Sequence, residues 1–243
     1  PVANNYPMSN YNCAFLVIEN FDSFKDLFYL LMVGSGVGVR VLKKDIEGLP
    51  KVRLDYEIIH KDYIPVPVSD REDNSSLEFA HKNRVKITVG DSKEGWTQAL
   101  DFFFKILYSH EYRNIKTIII NYDHVRPKGE KLKTFGGTAS GHESLKNMFY
   151  KIDNVIKNNK KINGSNKGKL RAIDCLDIAN IIGENVVVGG VRRTAEMVLI
   201  DPLDKECIEA KSNLYKQIGE QWIVDKDIIH RQMSNNSIYY ETK

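Results

Sequence analysis

The chain has 243 residues, of which 42% are hydrophobic and 28% charged, with a formal net charge of +3. That make-up is ordinary for a globular protein and the length suits one large domain or two small ones. A charge this small does not argue for nucleic acid, no apolar run nears the roughly 18 residues of a membrane span, and no secretory signal is visible at the start. The three cysteines, Cys13, Cys175 and Cys207, have no paired spacing, which argues against a disulfide scaffold or zinc pattern and for a reducing cytosol.

Predicted helices and strands alternate along the chain. "CAFLVIE" reads as a buried strand with Cys13 at its mouth, beside Asn12. A thiol there is either a small buried hydrophobe or a redox group, and position alone leaves both open. In "DSFKDLFYLLMV" the spacing of Phe24, Leu27, Phe28 and Leu31 predicts an amphipathic helix, capped by Asp22 or Ser23 and stopped by the glycines of "GSGVGV". "DYEIIH" and "RVKITVG" read as strands. Asp91 and Glu94 of "GDSKEGW" stand at capping-box spacing before the helix "TQALDFFFKILYS". "TIIINY" reads as a buried parallel strand. Leu145, Met148, Phe149, Ile152 and Ile156 mark the next helix, "KNNKKINGSNKGK" a solvated connection, and "AIDCLDIANII" a further helix before "ENVVVGGVRRTAEMVLI". The alternation implies an α/β fold with a mostly parallel sheet. The start at Pro1 and the end after the strand-like "SIYYETK" are those expected of a segment of a longer protein.

Three glycine-bearing stretches carry candidate chemistry. Gly34-Ser35-Gly36-Val37-Gly38 follows a helix, so it fails the context of a dinucleotide fingerprint and reads as a close-approach loop or a tight turn. "VRPKGEKLKTFGGTASG" places Arg126, Lys128, Lys131 and Lys133 among Gly129, Gly136 and Gly137, just before a helix. Cations and open N–H groups at a helix start suit a phosphate. In "GGVRRTAEM", Gly189 and Gly190 precede Arg192 and Arg193, which either fork onto phosphate or form surface salt bridges.

With Asn12-Cys13-Ala14-Phe15, "LMVGSGVGV", "GDSKEGW", "VRPKGEKLKTFGGTASG", "LDIANIIGENVVVGGVRRTAEM" and "RQMSNNSIYYE" in order, the chain resembles the adenosylcobalamin-dependent ribonucleoside-triphosphate reductases, the monomeric class II ribonucleotide reductases. The resemblance implies the first half of a ten-stranded α/β barrel, five mostly parallel strands with helices, as one partial catalytic domain over 1–243. It implies radical reduction of a ribonucleoside triphosphate at the ribose 2′ position. By carry-over, Cys13 is one of two cysteines that become a disulfide, and Asn12, Ser35 and Gly36 line the substrate. The stretch from Arg126 through Lys128 and Lys133 to Gly136 and Gly137 is similar to a first specificity loop. Gly189, Gly190, Arg192 and Arg193 match a second, and a deoxyribonucleoside triphosphate effector lies between the two. "MSNNS" (Asn235, Asn236, Ser237) lies near the active site with no role assigned.

The same resemblance implies adenosylcobalamin as cofactor, held by residues outside this chain, no resident metal, and thioredoxin or a similar dithiol as reductant in the cytoplasm. The thiyl cysteine and the second redox cysteine have no counterpart motif here. Cys175 reads as core and Cys207 matches no site. His142 stands where the family more often has proline. A reductase with a metal or glycyl radical, a nucleotide-binding regulatory module without catalysis, and a small nucleic-acid binder are the alternatives; no membrane partner is expected.

Overall fold

The structure, a computed structural model, describes residues 7–131, 138–163, 167–188 and 195–241. Strand β1 (Cys13–Val17) leads to helix α1 (Asp22–Met32), which buries Phe24, Leu27, Phe28 and Leu31 as their spacing predicts. The cap differs from expectation. Phe21 already has helical angles, and the Asn20 side chain accepts from the Ser23 amide at 3.1 Å, so Ser23 lies inside the first turn. Gly34 ends the helix at φ +92°, a conformation that suits glycine. The amides of Gly34 and Ser35 return to the carbonyls of Leu31 and Leu30.

Gly36 to Gly38 are not a loop. They belong to β2 (Gly36–Arg40), parallel to β1 with Cys13 opposite Gly36. Two later strands complete this sheet: β9 (Glu196–Ile200) pairs with β2, and β12 (Ser234–Ile238) with β9, all parallel, in the order β1-β2-β9-β12. One face is covered: Val37, Val39, Val198 and Ile200 are buried. Helix α5 (Ala172–Val188) is buried along most of its length, as its apolar run on all sides requires.

Between β2 and α5 the chain builds a second sheet. After the short helix α2 (Lys43–Ile46) and strand β3 (Val52–Arg53) come β4 (Glu57–His60), β5 (Ser76–His81), β6 (Arg84–Thr88) and β7 (Thr117–Asn121), in the order β4-β7-β6-β5. β4, β7 and β6 are parallel, and β5 pairs with β6 as an antiparallel hairpin. Helix α3 (Lys93–Tyr108) starts one residue later than its apparent box: Ser92, not Asp91, is the cap, its Oγ accepting from the Gly95 amide at 2.8 Å. Helix α4 (Glu143–Asn163) runs through most of the lysine-rich stretch read as a connection, and β8 (Lys167–Gly168) pairs with β3. A short helix α6 (Lys205–Ile208) and an exposed hairpin, β10 (Tyr215–Ile218) with β11 (Gln221–Val224), precede β12. The hairpin was not foreseen. The α/β class with parallel strands is borne out, its strands divided between two four-stranded sheets. One continuous core joins them, with Phe24, Phe103, Phe104, Phe149 and Tyr122 wholly buried.

Candidate functional site

The N-terminal ends of four parallel strands form one edge: Cys13, Gly36, Glu196 and Ser234 are the first residues of β1, β2, β9 and β12. Asn12, Cys13, Ser35 and Gly36, singled out from the sequence, meet here. The Gly36 amide donates to the Asn12 carbonyl at 2.9 Å, and Ser35 Oγ donates to the Tyr11 carbonyl at 3.1 Å. Ser35 is buried; Asn12 and Cys13 are exposed. Cys13 and Phe15 point to the sheet's uncovered face, since alternate residues share a face, and Phe15 is 56% exposed. Gly38 faces the same way: a Cβ there would lie 2.9 Å from the Phe15 ring. Among the described residues, α1 and α5 reach this edge with their C-terminal ends, not with the N-termini that attract phosphate.

Behind the edge lies a set of polar groups that the sequence reading missed. Ser234 donates its amide to Asn180 Oδ1 at 2.9 Å, and its Oγ lies 3.0 Å from Asn236 Oδ1. Lys211 Nζ donates to the Ser234 carbonyl. Asp177 on α5 accepts from His230 Nε2 at 3.0 Å and from Arg231 Nε and Nη2 at 2.6 and 2.8 Å. Burial pushes the Asp177 carboxyl up, but the hydrogen bonds from Arg231 and His230 outweigh it and hold it below the usual range. Burial pushes Glu196 up to about 8, and among the described residues it is Lys211 that opposes this. A lone glutamate at a strand start reads as solvated, so no sequence signal marked it.

The first basic stretch, from Arg126 onward, sits at the C-terminal edge of β4, β7 and β6, where open α/β sheets usually bind ligands. Arg126 is largely committed: its backbone amide and Nε reach Asp91 Oδ1 at 3.0 and 2.9 Å, and Nη2 reaches the Asp91 carbonyl at 3.2 Å. Arg71 forks onto Glu130 at 2.7 and 2.9 Å and stands 3.7 Å from Asp91. Lys128 is exposed. Gly129 takes φ +89° and donates to the Ala139 carbonyl at 2.9 Å, so the segment doubles back on itself. His142 stacks on Tyr63 with ring centroids 3.9 Å apart. Lys133, Gly136, Gly137, Gly189, Gly190, Arg192 and Arg193 lie outside the described residues.

Cys175 and Cys207 are buried, and burial pushes both thiols well up. Among the described residues no cluster of three His, Cys, Asp or Glu is placed to hold a metal, and no helix is long and apolar enough to cross a membrane. At the far edge of the first sheet a groove of about 470 Å³ is lined by Lys43, Lys44, Asp201, Tyr239 and Tyr240. That is the size of a small-ligand cleft.

Residues 60–156, which begin at the last residue of β4 and include β5 to β7, match the family described as B12-dependent ribonucleotide reductase, insertion domain. The chain is 32% identical, over 88% of its length, to an adenosylcobalamin-dependent ribonucleoside-triphosphate reductase from Lactobacillus acidophilus, covering 29% of that protein. It is 31% identical to the protein of the same name from Lactobacillus leichmannii, covering 28% of it. A crystal structure of a B12-dependent (class II) ribonucleotide reductase matches 90% of the chain with a TM-score of 0.68 and 27% identity, over 28% of its own length. The chain thus spans under a third of these proteins. In sequence and fold the chain is thus similar to part of the adenosylcobalamin-dependent ribonucleoside-triphosphate reductases, and residues 60–156 to their insertion domain.

Proposed function

We propose that the chain is part of an enzyme that reduces ribonucleoside triphosphates to 2′-deoxyribonucleoside triphosphates, and that Cys13 is one of its two reducing cysteines. The meeting of Asn12, Cys13, Ser35 and Gly36 at one sheet edge carries this reading. The ribose lies against that edge, with Cys13 exposed toward it on the uncovered face. In the overall reaction the ribose 2′ C–O bond breaks, the oxygen leaves as water, and two thiols give up two electrons and two protons to become a disulfide. Adenosylcobalamin, when bound elsewhere in the full enzyme, supplies the radical chemistry. A dithiol protein of the thioredoxin kind reopens the disulfide in a reducing cytoplasm.

A deoxyribonucleoside triphosphate effector is assigned to the two basic loops. The Asp91–Arg126 and Arg71–Glu130 pairs support a shaping role for Arg126, which leaves Lys128 as the described cation best placed to meet a phosphate. The test is Cys13→Ser in the full-length enzyme. Multiple turnover with a dithiol reductant should be lost while nucleotide binding is retained; normal turnover would refute the assignment.

A further inference from the structure

Glu196 is 4% exposed, and among the described residues neither carboxyl oxygen has a hydrogen-bond partner. It packs against Gly183 of α5, where an added Cβ would stand 2.4 Å from Oε2. A carboxyl buried without partners is costly unless it stays neutral. The elements around it bring few charges. On α5, Asp177 is closed by His230 and Arg231, and Glu184 is paired with Lys151. Among the described residues, the charge that acts on Glu196 is Lys211. Lys211 in turn donates to the carbonyl of Ser234, the residue opposite Glu196 in the β9–β12 register. The ammonium group is thus bonded to a carbonyl on β12, at the residue that faces Glu196 across the strand pair, and feels the Glu196 carboxyl as its neighbouring acidic group without being hydrogen-bonded to it.

We propose that Glu196 is a positioning residue that acts through Lys211. While Glu196 is neutral, Lys211 stays on Ser234 and seats the start of β12; when Glu196 loses its proton to solvent, Lys211 is drawn to the carboxylate and Ser234 is released. Ser234 Oγ reaches the Asn236 side chain at 3.0 Å, so the release passes along the strand that begins beside the Cys13 edge. The functional meaning of this rests on the reading that the ribose lies at that edge. The coupling itself does not, because it is a property of the fold. A charged pair in a poorly solvated setting forms a stronger hydrogen bond than an ammonium on a neutral carbonyl, which gives the shift its direction. Gly183 holds the carboxyl close to the helix backbone, so the lysine moves rather than the acid.

The experiment is carbon-13 NMR on this chain with labelled glutamate carboxyls and a labelled Ser234 carbonyl, titrated across the neutral range. The Glu196 resonance should titrate with a midpoint near 8, and the Ser234 carbonyl should shift with the same midpoint. Glu196→Gln should abolish the Ser234 response. Lys211→Met should abolish it too while leaving a Glu196 titration, and this second variant stands if the first does not fold. An ordinary acidic midpoint for Glu196, or a Ser234 carbonyl that ignores the titration, overturns the proposal. Deoxynucleotide formation by the full-length enzyme is scored separately: its absence counts against the proposed reaction, and a silent Ser234 carbonyl counts against the coupling alone.

Discussion

Asp177→Ala should be among the most damaging single changes in the chain. Asp177 is 6% exposed and accepts three hydrogen bonds, from His230 Nε2 at 3.0 Å and from Arg231 at 2.6 and 2.8 Å. Its removal leaves Arg231 with the Ala210 carbonyl, at 3.1 Å, as its remaining acceptor, and leaves His230, 2% exposed, without a partner. Removing one partner of a buried ion pair typically costs about 3–5 kcal/mol, much of it the penalty of the stranded charge. Equilibrium urea unfolding of wild type and variant at pH 7 reads that loss directly. Asp177→Asn keeps the shape and some of the hydrogen bonds, so it should lose less. The pH dependence has a definite sign. The folded carboxyl lies below its ordinary value of 3.8, so its contribution is present above that value and fades as pH falls through the folded one. The gap between wild type and Asp177→Ala should therefore narrow in acid. Amide exchange should lose protection first at residues 234–238, which follow the Arg231 turn directly. A loss under about 1 kcal/mol, smaller than a typical broken buried pair, or exchange that rises equally in β4 and β7, would refute the argument.

Glu196→Gln should remove a penalty rather than add one: the wild-type carboxyl rises from 4.5 to about 8 on folding, so its stability falls as pH climbs through that window. At roughly 1.4 kcal/mol per pH unit the variant should gain up to about 4 kcal/mol over wild type near pH 8 relative to pH 4, and a flat wild-type curve in urea unfolding would contradict this. Iodoacetamide should label Cys13 alone in the folded chain, with Cys175 and Cys207 reacting only in urea; mass spectrometry of native protein carrying a second label would show the burial to be wrong. Gly90→Ala should cost about 1–3 kcal/mol by overpacking, because its Cβ would stand 2.3 Å from the Asp73 carbonyl oxygen, and an unchanged urea midpoint would count against that contact.

Helices α1, α3 and α4 were legible because each buries one stripe, and a stripe has a period that a sequence displays. Their exact caps were not. Asp91 and Ser92 are neighbours of equal capping quality, and what separates them is Arg126, 35 positions away, which takes the Asp91 carboxylate. The hairpin β10–β11 was illegible for the opposite reason: its residues are all exposed, so no face imposes alternation. At the Cys13 edge, the resemblance named Asn12, Cys13, Ser35 and Gly36, but their adjacency comes from the parallel register of β1 and β2. Glu196, Asp177 and His230 carry no local pattern. Their burial depends on Gly183, Lys211 and Arg231, residues that only the fold brings to them.

The order of strands in the two sheets sets an order of assembly during synthesis. The second sheet is complete once Asn121 has left the ribosome, and its pairings are comparatively local. The first must wait: β2 ends at Arg40 and its neighbour β9 does not begin until Glu196, with β12 later still. Closing so long a loop delays pairing, so β2 keeps a bare edge while residues 41–195 are made, the kind of edge that invites aggregation. The sheet that bears the Cys13 thiol thus forms after the second sheet, and a nascent chain stalled before residue 196 would carry a folded second sheet beside an unfinished first one.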